Sequence, residues 1–177
     1  MSSHAILSAI GNDRPGLVDE VSEFIFERGG NIEDSRMVNL RGQFAIMVLV
    51  AGSEQTLARL RSESWQLQQK TGLQIDVRPA TAASGAASAA AVPYRLSASG
   101  LDQPGLIHRI SHLLRSASIN IESLDTRLTS APITGAPVFE MDMVISIPGS
   151  APIGKLRSDL GAVCDELNMD FRLEAMS

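Results

Sequence analysis

The sequence predicts an α+β chain made of two successive β-α-β-β-α-β units, each a four-stranded antiparallel sheet with its helices on one face. Three observations predict it. The stretch GNDRPGLVDE (Gly11 to Glu20) returns as GLDQPGLIHR (Gly100 to Arg109), pairing Asp13 with Asp102, Pro15 with Pro104 and Gly16 with Gly105. The apolar periodicity after each copy repeats at the same offset, which short chance matches do not do. Between the halves lies PATAASGAASAAAV, Pro79 to Val92, almost all Ala and Ser with no apolar face of useful size.

The elements follow in order. A first strand ends in the Gly11 loop, whose Pro and Gly turn the chain into a helix. Leu17, Val18, Val21, Phe24 and Ile25 have helical spacing with one apolar face, and their counterparts are Leu106, Ile107, Ile110, Leu113 and Leu114. A second strand opens at Asn31-Ile32-Glu33, matched by Asn120-Ile121-Glu122. Phe44, Ile46, Val48 and Val50 alternate as a third strand and correspond to Phe139, Met141, Met143 and Ile145. The second half is longer here because SAPITGAP (Ser130 to Pro137), with two Pro and one Gly, extends a hairpin loop. Leu57, Leu60 and Leu67 give the second helix, paired less cleanly with Ile153, Leu156 and Val163, and Leu160 and Leu167 complete that later stripe. Leu73, Ile75 and Val77 alternate as the last strand, as do Met169, Phe171 and Leu173. The expected division is therefore 1–79, an Ala/Ser-rich linker over 80–92, and 93–177. Each half is small, so an open sheet face or edge is left needing a partner, and pairing of the two halves, or of two chains, is the expected remedy.

Bulk properties narrow the function. The chain has 177 residues, 44% hydrophobic content and a formal net charge of -5, which disfavours direct contact with a phosphate backbone. One Cys and three His offer neither an internal disulfide nor the spacing of a structural zinc site. The N-terminus has no export pattern, no apolar run approaches a membrane span, and a cytoplasmic setting is expected. No nucleophile with a base, no phosphate loop and no paired carboxylates within one half suggest an enzyme, and no cofactor is expected. His108 and His112 stand four apart on a helix but lack a third ligand. Cys164 reads as a packed thiol, and Trp65 and Phe139 as core or interface. NIEDSR (Asn31 to Arg36) reads as either a solvated, ion-paired edge or a docking surface.

The segment DRPGLVDEVSEFIFERGGNIEDSRM resembles an ACT domain, a small ferredoxin-like module that senses amino acids in many regulated metabolic enzymes. Two such modules without an attached enzyme, with NIEDSRMVNLRGQFAIMVLV and the ending CDELNMDFRLEAM, resemble the glycine cleavage system transcriptional repressor family. The resemblance implies a regulator that binds a small amino acid, glycine foremost, forms a homodimer, and controls transcription by contacting a regulator protein rather than DNA. The alternative is a scaffold that binds no ligand. Carried over by position, the resemblance nominates Asp13, Gly16 and Asn31 in the first half and Asp102, Gly105 and Asn120 in the second as ligand contacts.

The loop chemistry suits such a ligand. Free amides at a helix N-terminus, uncovered by Gly16, can receive a carboxylate, and Asp13 can accept from an ammonium. The same residues also suit a purely structural turn: Asp satisfies orphan amides as a helix cap, and Asn opens a strand. Both readings compete for the same Asp13 oxygens. Ligand size limits affinity: at about 1.5 kcal/mol per heavy atom, glycine reaches a dissociation constant of a few micromolar at best.

Overall fold

The computed structural model describes residues 3–80, 91–131 and 134–176. The chain forms two compact units, and each carries one four-stranded sheet. In the first unit β1 (Ser3–Asn12), α1 (Leu17–Glu27), β2 (Asn31–Leu40), β3 (Gln43–Gly52), α2 (Glu54–Thr71) and β4 (Gln74–Pro79) succeed one another. The second repeats the order with β5 (Ala91–Leu101), α3 (Leu106–Ser116), β6 (Asn120–Ser130), β7 (Pro137–Pro148), α4 (Ile153–Glu166) and β8 (Met169–Ala175). The sheets run β2-β3-β1-β4 and β6-β7-β5-β8, antiparallel throughout. This is the ferredoxin-like order twice over.

Local chemistry explains the boundaries. Ser53 caps α2 by accepting from the Thr56 amide at 3.0 Å, and Gly72 ends the helix in the left-handed conformation at φ 73°. In the first unit Leu7, Leu17, Ile25, Phe44 and Leu60 are fully buried between sheet and helices, and Leu96, Ile110, Met143, Ile145 and Leu160 fill the matching space in the second. Burying side chains of this size contributes about 1.5–3 kcal/mol each.

Several expectations change in detail. Val18 is 49% exposed, so the apolar face of α1 is Leu17, Val21, Phe24 and Ile25. Ile107 is likewise partly open on α3. β5 begins at Ala91, inside the stretch read as linker, because Ala91 and Val92 pair with Pro148 and Ile147 of β7; the rest of that stretch, 81–90, lies outside the described residues. Trp65 stands exposed on α2 rather than in a core, whereas Phe139 packs against one. Cys164 is buried, and burial raises its thiol above the ordinary range.

Candidate functional site

β1 delivers Asp13 to a loop that runs straight into α1. Gly16 starts this helix with φ 92°, a left-handed conformation that costs a residue with a Cβ about 1–2 kcal/mol. The first helical bond runs from the Glu20 amide to the Gly16 carbonyl at 2.9 Å. The amides of Leu17, Val18 and Asp19 are therefore the orphan donors of the helix start. No side chain among the described residues caps them.

Asp13 is thus not a cap. Its amide donates to the Gly42 carbonyl at 2.9 Å, and its carboxylate accepts from Asn39 Nδ2 at 2.5 Å. Asn39 Oδ1 also accepts from the Gly42 amide at 3.3 Å, so one side chain fastens the β1–α1 loop to the β2–β3 hairpin. Arg14 grips Glu20 with two bonds of 2.9 and 2.7 Å beside Gly16. Through this contact Arg14 holds the Glu20 carboxyl below the ordinary carboxylate range, and Glu20 holds the guanidinium above its own. A shallow cleft of about 360 Å³ opens beside Gly16, with Asp13, Arg14, Asp19 and Asn39 as polar lining and Val18, Met37 and Phe44 as apolar wall.

The second loop repeats the backbone with other side chains. Gly105 starts α3 at φ 95°, again with no capping side chain among the described residues. The Asp102 amide donates to the Pro137 carbonyl at 3.1 Å, as Asp13 does to Gly42. Leu128 occupies the place of Asn39, since each stands opposite the matching Phe, 139 or 44. The Asp102 carboxylate therefore lacks an amide partner, and it makes no side-chain hydrogen bond among the described residues. Gln103, in the place of Arg14, reaches away to the Leu167 carbonyl at 2.7 Å. His108 and Arg109 replace Asp19 and Glu20 in the first turn, and Arg109 pairs with Glu166.

The expected grouping of three residues per half does not hold within one unit. Asn31 and Asn39 sit at opposite ends of β2, and only Asn39 meets the loop. Eight steps along the strand separate them by about 26 Å. Asn120 stands at the same far end of β6, where its amide donates to Glu122 at 2.7 Å and lowers the Glu122 carboxyl. Asp13 with Gly16, and Asp102 with Gly105, remain as pairs. Asn39 carried no sequence signal, because hairpin geometry alone brings it to a loop 26 residues earlier. The Arg14–Glu20 clasp was in principle readable, as a basic residue before Pro with an acid in the first turn of the helix.

In the NIEDSR stretch Glu33 shares a hydrogen bond with His4 at 3.0 Å, and Asp34 is ion-paired with Arg36. The His108 and His112 rings lie 6.0 Å apart, and no group of three metal-ligating side chains occurs among the described residues. No described helix is long and apolar enough to cross a membrane.

Comparison with known proteins gives three kinds of likeness. The ACT-domain family profile matches residues 3–78. The glycine cleavage system transcriptional repressor of Escherichia coli is 28% identical over 93% of this chain and 86% of its own length. A UPF0237 protein of Methanopyrus kandleri is 35% identical over 43% of this chain and 87% of its own length. Among solved structures, an unknown protein from Galdieria sulphuraria covers 100% of both chains with a TM-score of 0.83 at 26% identity.

Proposed function

Because the ACT-domain profile matches the first half, the second half repeats the same fold, and the chain is similar to the glycine cleavage system transcriptional repressor, we propose that it is a tandem ACT-domain protein, regulatory, non-enzymatic and cytoplasmic. It binds a small amino acid and controls transcription by contacting a regulator protein, as a homodimer. The net charge of -5 favours a protein partner over DNA. The observation that carries the ligand reading is the uncapped, glycine-opened helix start beside an Asp, present in both halves. The amides of residues 17–19 and 106–108 offer donors for a carboxylate, with the helix dipole adding to them. Asp13 and Asp102 accept from the ammonium. Asn31 and Asn120 stay outside these sites and serve as strand starts. Ligand binding changes partner affinity only through differential binding to two states of the protein.

Calorimetric titration with glycine and a panel of amino acids tests this, using Asp13→Ala and Asp102→Ala as controls. Heat with at least one amino acid, reduced in one or both variants, is the expected result. Valine and methionine belong in the panel because Val18 and Met37 wall the first cleft. No heat at millimolar concentration with any of them rejects ligand binding.

One observation favours the second reading, a scaffold without ligand: the Asp13 carboxylate is already engaged by Asn39. Under that reading Asp13→Ala lowers the melting temperature and changes no ligand response.

A further inference from the structure

The open faces of the two sheets, turned away from the helices, have opposite chemistry at matching positions. In the first sheet this face carries Ile6, Ile10, Val38, Met47 and Leu49, of which Ile10, Val38 and Met47 are 52%, 47% and 56% exposed. The second sheet has Arg95, Ser99, Arg127, Asp142 and Val144 in those places. The same ladder therefore forms with charges there, and the fold does not require an apolar open face. Exposing one in water is unfavourable unless something covers it.

The rim of the face indicates what covers it. Cross-strand register sets Asp34, Leu49, Ile6 and Arg78 in one row across the four strands, and Arg36, Met47, Ser8 and Asp76 in the next. The β2 edge thus reads minus then plus, and the β4 edge plus then minus, with apolar side chains between. Among the described residues these charges pair only with their own-edge neighbours, Asp34 with Arg36 and Asp76 with Arg78. All four are more than half exposed. A two-fold axis parallel to the strands, lying between two such faces, sets Asp34 of one chain over Arg78 of the other and Arg36 over Asp76. The pattern is self-complementary, as an isologous contact requires. Packed sheets lie about 10 Å apart with strands within about 30° of each other, a spacing these long side chains span.

We propose that the open face of the first sheet docks against the same face of a second copy of this chain, with the Asp34/Arg78 and Arg36/Asp76 contacts setting its direction. This deepens the homodimer reading above by naming its surface, and it leaves the second sheet's charged face open to water.

Analytical ultracentrifugation of the full chain without ligand tests it. The wild type should sediment as a dimer. Met47→Asp, which introduces the residue found at the matching position of the second sheet, should weaken the dimer by about 30-fold or more while circular dichroism stays unchanged. Arg36→Asp should also weaken it, and Arg36→Asp combined with Asp76→Arg should restore it. A wild type that remains monomeric overturns the homodimer and this surface together. A dimer insensitive to Met47→Asp keeps the homodimer and overturns this surface. A dimer that Met47→Asp breaks but the charge swap does not restore overturns the two-fold along the strands.

Discussion

The two loops share a backbone and differ in nearly every side chain around it. Gly16 and Gly105 have φ of 92° and 95°, and each loop Asp donates its amide to the neighbouring hairpin. Around the first, Asn39 fixes the Asp13 carboxylate, and Arg14 with Glu20 stands beside the helix start. Around the second, Leu128 leaves Asp102 without that partner, and the first turn of α3 holds no acid. The backbone fixes where orphan amides point, while the side chains decide what those amides can receive. A carboxylate approaching α1 meets Asp19 and the Arg14–Glu20 pair, whereas one approaching α3 meets His108 and an Arg109 paired with Glu166. On the proposed function the second loop, whose helix has no acid in its first turn, should take the carboxylate more tightly, and Asp102→Ala should remove the tighter part of any amino-acid binding.

The largest stability contrast lies just before each loop. A Cβ on Gly100 would come within 2.8 Å of the Asn168 carbonyl oxygen, whereas one on Gly11 would meet a movable Leu73 methyl at 2.9 Å. Gly100→Ala should therefore cost about 2–3 kcal/mol and Gly11→Ala nearer 1 kcal/mol, read by denaturant unfolding. Equal losses would show that the β8 turn yields as readily as a side chain.

Next in size are the helix starts. Gly16→Ala and Gly105→Ala should each cost about 1–2 kcal/mol, because both force a side chain into the left-handed region. A clear difference between them in thermal unfolding would mean that one loop relaxes and the backbones are not equivalent.

A smaller effect attaches to Asn39. Asn39→Ala should cost about 0.5–1 kcal/mol, since its bond to Asp13 is charge-assisted but exposed. Leu128→Asn should supply Asp102 with the amide that the second loop lacks. If Leu128→Asn gains nothing while Asn39→Ala costs stability, the Gly42 contact rather than Asp13 carries the Asn39 effect.

The smallest effects concern pH. Glu20 and Glu122 both titrate below their unfolded values, through Arg14 and Asn120 respectively. Each therefore contributes stability that is present above the ordinary carboxylate range and is lost as pH falls through the lowered value. Arg14→Gln should raise Glu20 towards the ordinary range, and Asn120→Ala should raise Glu122 only in part because Ser146 still bonds it, as followed by NMR titration of the side-chain carboxyls. Added salt should shrink the Glu20 shift, because that pair faces water.

The repeat, the order of elements and the alternation of the third and last strands of each half were legible in the sequence, because period and burial are one-dimensional signals. The placing of Asn31 was not, yet topology alone could have given it. β1 ends at the Asp13 loop, α1 runs back along the sheet, and so β2 must begin at the far end and return to the loop with Asn39. The partnership of Asp13 with Asn39 needed the hairpin register, which the tight Arg41-Gly42 turn sets by placing Asn39 opposite Phe44. The exposure of Val18 escaped the reading because helical spacing marks a face without giving its width.

Amide-resolved NMR during an amino-acid titration tests the central claim most directly. Binding at the helix starts predicts that the amides of Leu17 to Asp19, or of Leu106 to His108, shift in a saturable way while those of Asn31 and Asn120 stay in place. Asp102→Ala should abolish the tighter response. Loop amides that stay unmoved by every amino acid at millimolar concentration, or shifts centred on Asn31 and Asn120, would contradict it.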